Sequence, residues 1–154
     1  MYFYKKIVKD LIKKNISVSI AESCTGGKLS SFFTAIPNVS KIFNLGVVTY
    51  SNQSKNKILN IPISLINKHG AVSKKISKKM SYNLYKITKS DLCISITGIA
   101  GPTGGSTKKP IGLVYICIRY KKKKNIFKMF FKGSRQKIQK EIVINVLKLI
   151  KKLI

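Results

Sequence analysis

Acidic residues are nearly missing from this 154-residue chain: only Asp10, Glu22, Asp91 and Glu141 stand against 31 lysines and arginines. Tryptophan is absent, and histidine occurs once, at His69. A transition-metal site would have to draw on that histidine, three cysteines and four scattered acids with no ligand spacing, so no metal is expected. A Ser-His-Asp triad would likewise need His69, which lies beside Gly70 in a turn between helices. The cysteines, Cys24, Cys93 and Cys117, are odd in number and two sit inside apolar runs, which implies no disulfide framework. No run approaches the roughly 18 apolar residues of a membrane span, and the start lacks a continuous apolar leader core. A cytoplasmic protein is the expectation. Gly26-Gly27-Lys28-Leu29 lacks the upstream glycine and following Ser or Thr of a phosphate-binding P-loop, and residues 98–105 do not have dinucleotide-binding spacing.

What is abundant is lysine. The formal net charge is +27, and Arg119 and Arg135 are the only arginines. Base-edge reading and bidentate phosphate clamps favour arginine, and the lysines are spread along every segment. That pattern suits a coding bias toward Lys, Ile and Asn, with selected polyanion binding as its rival. In either case the field draws in anions over a range that salt limits to about 8–10 Å. With 44% hydrophobic residues the chain is too apolar to be disordered, and its length fits one domain, residues 1–154.

Phe3, Ile7, Leu11 and Ile12 recur at helical spacing, so residues 2–14 read as an amphipathic helix. Strands are expected at Ser17–Ala21, Leu45–Tyr50 and Leu92–Thr97, and a hairpin at Leu113–Tyr120 and Ile126–Phe131 across Lys121–Lys124. Helices are expected at Gly27–Ala35, Ser51–Leu59 and Pro62–Lys68, then from Ser73 to Thr88 with Ile76, Met80, Leu84 and Ile87 inward. A last helix carries Ile138, Ile142, Val146, Leu149, Ile150 and Leu153. Alternating strands and helices predict an α/β fold on a mostly parallel sheet, with one antiparallel strand forced by the hairpin.

In such folds ligands gather at the carboxyl ends of the strands. Three segments leave their strands there: Ser23–Gly27, Tyr50–Lys55 and Thr97–Gly105. In Ala21-Glu22-Ser23-Cys24-Thr25-Gly26-Gly27 a hydroxyl, a thiol and two glycines follow an apolar run, a place suited to a nucleophile and equally to an ordinary turn. With histidine set aside, a serine would need a lysine or a tyrosine as its base. Tyr50 and Lys55 lie about one helical turn apart, although one lysine near a tyrosine means little in so lysine-rich a chain. Lys55 would need a pKa near 7–8, against its unperturbed value of about 10.4. Cys24 is the rival nucleophile, with no histidine placed to serve it.

These segments, in order, resemble the CinA C-terminal domain family, the nicotinamide-nucleotide amidases. The matching stretches are Ala21–Gly27, Gly46-Val47-Val48-Thr49-Tyr50-Ser51-Asn52 with Lys55, His69-Gly70-Ala71-Val72-Ser73, Thr97-Gly98-Ile99-Ala100-Gly101-Pro102 with Gly104-Gly105, and Lys109-Pro110-Ile111-Gly112. The resemblance is to the standalone form. It implies a three-layer α/β/α sandwich on a five-stranded mixed sheet. It implies cofactor-free hydrolysis of the carboxamide of nicotinamide mononucleotide to nicotinate mononucleotide and ammonia, a step of NAD salvage.

By the same resemblance Ser23 is the nucleophile, with Tyr50 and Lys55 completing the catalytic set. Thr25, Gly26 and Gly27 would hold the oxyanion, and Asn52, Thr97, Gly98 and Gly101 would surround the substrate. Where the family usually has Gly-Asp-Arg this chain has Gly133-Ser134-Arg135, whose arginine would meet the phosphate. The expected partners are the substrate and a second copy of the chain, as in a dimer. A lysine-rich domain that binds nucleic acid or another anionic surface without sequence preference is the alternative function.

Overall fold

The computed structural model describes residues 2–154. Helix α1 spans Tyr2–Lys13, strand β1 Val18–Glu22, helix α2 Lys28–Thr34 and strand β2 Phe43–Val48. Helices α3 (Asn52–Leu59), α4 (Ile63–His69) and α5 (Lys74–Thr88) follow, then strands β3 (Leu92–Gly98), β4 (Leu113–Tyr120) and β5 (Lys123–Phe130), and helix α6 (Arg135–Leu153). The strands form one mixed sheet in the order β2-β1-β3-β4-β5. β1 pairs in parallel with β2 and β3, while β4 runs antiparallel to both β3 and β5. β4 is therefore the single reversed strand, as expected.

Successive strand residues point to opposite faces, and each face carries its own core. Val18 and Ile20 of β1, Ile94 and Ile96 of β3, and Ile116 and Ile118 of β4 pack with Leu11, Phe33, Ile142 and Val146 from α1, α2 and α6. Ala21 and Cys93 pack on the other face with Leu59, Ile66, Ile76, Met80 and Leu84 from α3, α4 and α5. This makes an α/β/α sandwich. On the α5 side β3 presents Cys93, Ser95 and Thr97, small residues that let the helix approach closely. Ser95 Oγ donates to the Ser77 carbonyl at 2.7 Å, and Ser81 Oγ donates to that of Cys93 at 3.2 Å.

Three sequence expectations need correction. β2 begins two residues early and ends at Val48, so Thr49 and Tyr50 lie beyond the strand. Its register is set by β1, where Val18 pairs with Phe43 and Glu22 with Val48. β5 begins at Lys123, leaving Lys121 and Lys122 as the turn, because an edge strand keeps lysine heads in water. Ile87 is half-exposed instead of inward-facing.

Candidate active site

β1 is buried along its whole length and ends in Glu22, an acid with no exposed surface. Its carboxylate accepts four bonds: from Gly27 N–H and Leu29 N–H at 3.1 Å each, and from Ser30 N–H and Ser30 Oγ–H at 2.7 Å each. Glu22 therefore ties the start of α2 back to the end of β1 and closes residues 23–27 into a tight turn. Gly26 and Gly27 make that turn at φ +60° and +93°, where side chains are strained. Gln139 of α6 donates to the Cys24 carbonyl at 2.8 Å and holds the turn from the other side.

Ser23 sits on this turn, nearly buried. Lys55 reaches it from α3. Ser51 caps that helix by accepting from Ser54 N–H at 3.0 Å, and Ser54 Oγ accepts from Ser51 N–H at 3.0 Å, a reciprocal pair that fixes the first turn. The next residue, Lys55, thus points inward and is 1% exposed. Its Nζ lies 3.2 Å from Ser23 Oγ and donates to the Thr49 carbonyl at 2.7 Å.

Burial lowers the Lys55 pKa from 10.5 to about 8. An ionised Cys24 would oppose this, but burial pushes that thiol up to about 12, so it is neutral at physiological pH. The same rise makes Cys24 a poor nucleophile. An amine with a pKa near 8 is neutral in a useful fraction of molecules at pH 7–8. Its lone pair can then accept the Ser23 proton while one N–H stays on the Thr49 carbonyl.

Tyr50 is placed differently from the sequence expectation. The residue is 59% exposed, and its hydroxyl accepts from Arg135 Nη2 at 2.6 Å, with no hydrogen bond to Ser23 or Lys55 among the described residues. Arg135 is the first residue of α6, behind Ser134, whose Oγ caps the helix by accepting from Lys137 N–H at 3.3 Å. Its Nη1 donates to the Gly101 carbonyl at 2.8 Å, so one guanidinium ties the 99–112 loop to the β2–α3 connection. Among the described hydrogen bonds two of its five N–H groups are engaged, which leaves three as further donors.

The expected oxyanion donors also need correction. Gly26 N–H donates to the Ser23 carbonyl at 3.0 Å and Gly27 N–H to Glu22, so both are already used. Among the described hydrogen bonds, Thr25 N–H has no backbone acceptor, and the buried Thr25 and Thr49 hydroxyls have no partner. Thr97 Oγ1 donates to the Ala71 carbonyl at 2.8 Å, joining β3 to the α4–α5 connection. Gly98 lies against the 23–27 turn: a Cβ there would come within 3.1 Å of Cys24 Sγ and 2.8 Å of the Leu113 carbonyl oxygen. Asn52 is exposed in the first turn of α3. Lys109 Nζ donates to the His69 carbonyl at 2.9 Å and anchors the far end of the 99–112 loop. An open cleft of about 460 Å³ runs along this loop, lined by Pro102, Thr103, Gly104, Gly105, Pro110 and Ile111 among others.

Glu22, Gln139 and the Thr49 carbonyl were not singled out as site groups from sequence. Glu22 left a signal, being one of only four acids and standing at the end of an apolar strand. Gln139 and a backbone carbonyl left none. Among the described residues no group of His, Cys, Asp and Glu could hold a metal ion, and no helix is long and apolar enough to cross a membrane.

The family model "CinA C-terminal domain" matches residues 2–154. A CinA-like protein of Endomicrobium trichonymphae is 46% identical over 142 residues, covering 92% of this chain and 33% of that protein. The chain thus spans about a third of the length of the curated relatives it matches. Among solved structures, a competence-damaged protein (CinA) superfamily protein from Escherichia coli superposes with a TM-score of 0.92 at 30% identity, covering 98% of this chain and 88% of that one. The competence damage-inducible protein A of Klebsiella pneumoniae gives 0.90 at 28% identity, with 97% and 96% covered.

Proposed function

The chain belongs to the CinA C-terminal domain family, and from that premise we propose that it is an amidase acting on the carboxamide of nicotinamide mononucleotide, with Ser23 as nucleophile and Lys55 as base. The observation that carries the reading is the buried Lys55 Nζ at 3.2 Å from Ser23 Oγ. A hydroxyl paired with an amine of depressed pKa needs neither histidine nor metal to become a nucleophile.

In the proposed reaction the Ser23 proton passes to the Lys55 lone pair as Oγ adds to the carboxamide carbon. The charge that develops on the carboxamide oxygen is met by a main-chain donor of the turn such as Thr25 N–H, which has no backbone acceptor among the described hydrogen bonds. The Lys55 ammonium then returns its proton to the departing nitrogen, and ammonia leaves a Ser23 ester. Water attacks that ester, giving its proton to Lys55, and nicotinate mononucleotide departs as Ser23 recovers a proton. Arg135, between Tyr50 and Gly101, orients the tyrosine ring and uses its remaining N–H groups on the substrate phosphate.

Ammonia release from nicotinamide mononucleotide, followed with wild type and Ser23→Ala, tests this. The expected result is release by wild type and a loss of at least about a thousandfold in the variant, with an unchanged circular dichroism spectrum. Release that persists in Ser23→Ala rejects the assignment.

A further inference from the structure

At the opposite end of the sheet from Ser23, three cations from three different elements converge. Arg119 of β4 pairs directly with Lys124 of β5. The opposite end of β3 from Gly98 meets them, since Gly98 pairs with Val114 and Cys93 with Arg119, a separation of about 17 Å along the strand. Both side chains lie on the α5 face, where Lys78 joins them. Together with Ser81, Tyr82 and Cys117 they line a cleft of about 40 Å³. That is about the space three waters need, on the scale of one tetrahedral oxyanion.

Several features of this cluster lack an internal explanation. Like charges set directly opposite across two strands repel, and a third cation from α5 adds to the repulsion. No acid lines the cleft: Glu22 is bound to α2, Asp91 Oδ2 accepts from both Ser17 N–H and Ser17 Oγ, and Asp10 and Glu141 lie on the helices of the other face. The Arg119 guanidinium stacks 4.2 Å from the Tyr85 ring centroid, which fixes its plane, yet its Nε is buried with no hydrogen-bond partner. Burial raises the Cys117 thiol pKa, which a contact with Ser81 and the neighbouring Lys124, Lys78 and Arg119 charges oppose. Beside the cleft, and sharing Lys78, Tyr82 and Lys124 with it, opens a wider one of about 530 Å³. Tyr82 is 44% exposed there, with the Lys79 and Lys86 ammonium groups each 5.9 Å from its ring centroid.

We propose that Lys78, Arg119 and Lys124 form a phosphate-binding site, separate from the amidase centre, that takes the phosphate of a nucleotide or of a single-stranded oligonucleotide with Tyr82 available to stack a base. A tetrahedral anion would neutralise the cross-strand repulsion and give the Arg119 Nε–H an acceptor. An exposed ring flanked by lysines is the arrangement on which an attached base stacks. The proposal does not depend on Ser23 chemistry, and Ser23→Ala binds phosphate like wild type.

Titration of inorganic phosphate into the isotope-labelled full chain at constant ionic strength, followed by amide chemical shifts, tests it. Shifts are expected around Lys78, Ser81, Cys117, Arg119 and Lys124. Lys124→Gln weakens binding about tenfold, while Lys9→Gln, an equal loss of charge on α1, weakens it by less than about twofold. Arg119→Lys keeps the charge but loses Nε–H and also binds more weakly; if it does not fold, Lys124→Gln still decides. Adenosine monophosphate and oligothymidylate are then titrated, and Tyr82→Ala weakens whichever carries the stacked base while leaving inorganic phosphate unaffected. Equal losses from Lys124→Gln and Lys9→Gln, or no shifts at these amides in millimolar phosphate, overturn the site and leave only a diffuse basic surface.

Discussion

Lys55 Nζ stands 3.2 Å from Ser23 Oγ across 32 positions of sequence, and its second partner is the Thr49 carbonyl at 2.7 Å. The carbonyl holds the amine in place without neutralising it, since an uncharged acceptor adds no counter-charge. Burial therefore governs the proton, and it lowers the pKa to about 8. If Lys55 is the base, kcat/KM for amide hydrolysis rises with pH and levels above about 8. Lys55→Arg, which stays charged, loses about 10²–10⁴-fold and shows no such inflection. A profile in which wild type and Lys55→Arg share the same inflection assigns the base elsewhere.

The same depressed pKa has a signature in stability. In the unfolded chain Lys55 titrates near 10.5 and in the folded protein near 8. Between these values the unfolded state holds one more proton than the folded state, so this residue's contribution to stability rises with pH. Below about 8 both states are protonated, the cost of burying the ammonium is fully present, and the contribution is flat. Thermal unfolding of wild type and Lys55→Met from pH 7 to 10.5 should show the Tm difference shifting in favour of wild type above pH 8. A constant difference would place the Lys55 pKa at its ordinary value.

Arg135 donates to both Tyr50 and Gly101, so its replacement should disturb two things at once. Arg135→Ala is expected to raise KM for nicotinamide mononucleotide about tenfold, and much less for the dephosphorylated riboside, if the remaining N–H groups meet phosphate. Arg135→Lys should not rescue, because an ammonium cannot span both acceptors with one rigid fork. Tyr50→Phe and Arg135→Ala should be non-additive in kcat, since each removes the same 2.6 Å contact. Equal KM losses for the two substrates would mean that the arginine serves the loop and the tyrosine alone.

Much of this architecture is legible in the chain because local patterns and tertiary packing agree. Ser73 stands before the periodic run Ile76, Met80 and Leu84 and caps the helix that carries it, as Ser51 and Ser134 cap theirs. The β2 register is not legible, because Phe43 and Leu45 on one side and Val47 to Tyr50 on the other form one apolar stretch whose bounds only pairing with β1 decides. Lys123 and Lys124 read as turn because a strand edge tolerates the charges that a buried strand excludes. The pairing of Ser23 with Lys55 could be anticipated from motifs that leave neighbouring strands at one end of the sheet. The contact between Tyr50 and Arg135 could not, being set by the angle at which α6 returns, 85 positions later.

Glu22 holds the 23–27 turn through four hydrogen bonds, none of which goes to Ser23 or Lys55. A glutamine of the same shape offers one acceptor oxygen where the carboxylate offers two, and its NH₂ would face the N–H groups of Gly27 and Leu29 or the N–H and O–H of Ser30. In a site with no exposed surface, water cannot make good the loss. Glu22→Gln should therefore destabilise the fold by about 3 kcal/mol and loosen the 23–27 turn. The distinguishing readout is kinetic. In the fraction that remains folded, kcat should fall while KM changes little, because Ser23 and the turn amides drift from their geometry while the substrate contacts proposed for Arg135 are untouched. A variant that loses stability but keeps wild-type kcat at low temperature would show that α2 and β1 position Ser23 without the carboxylate.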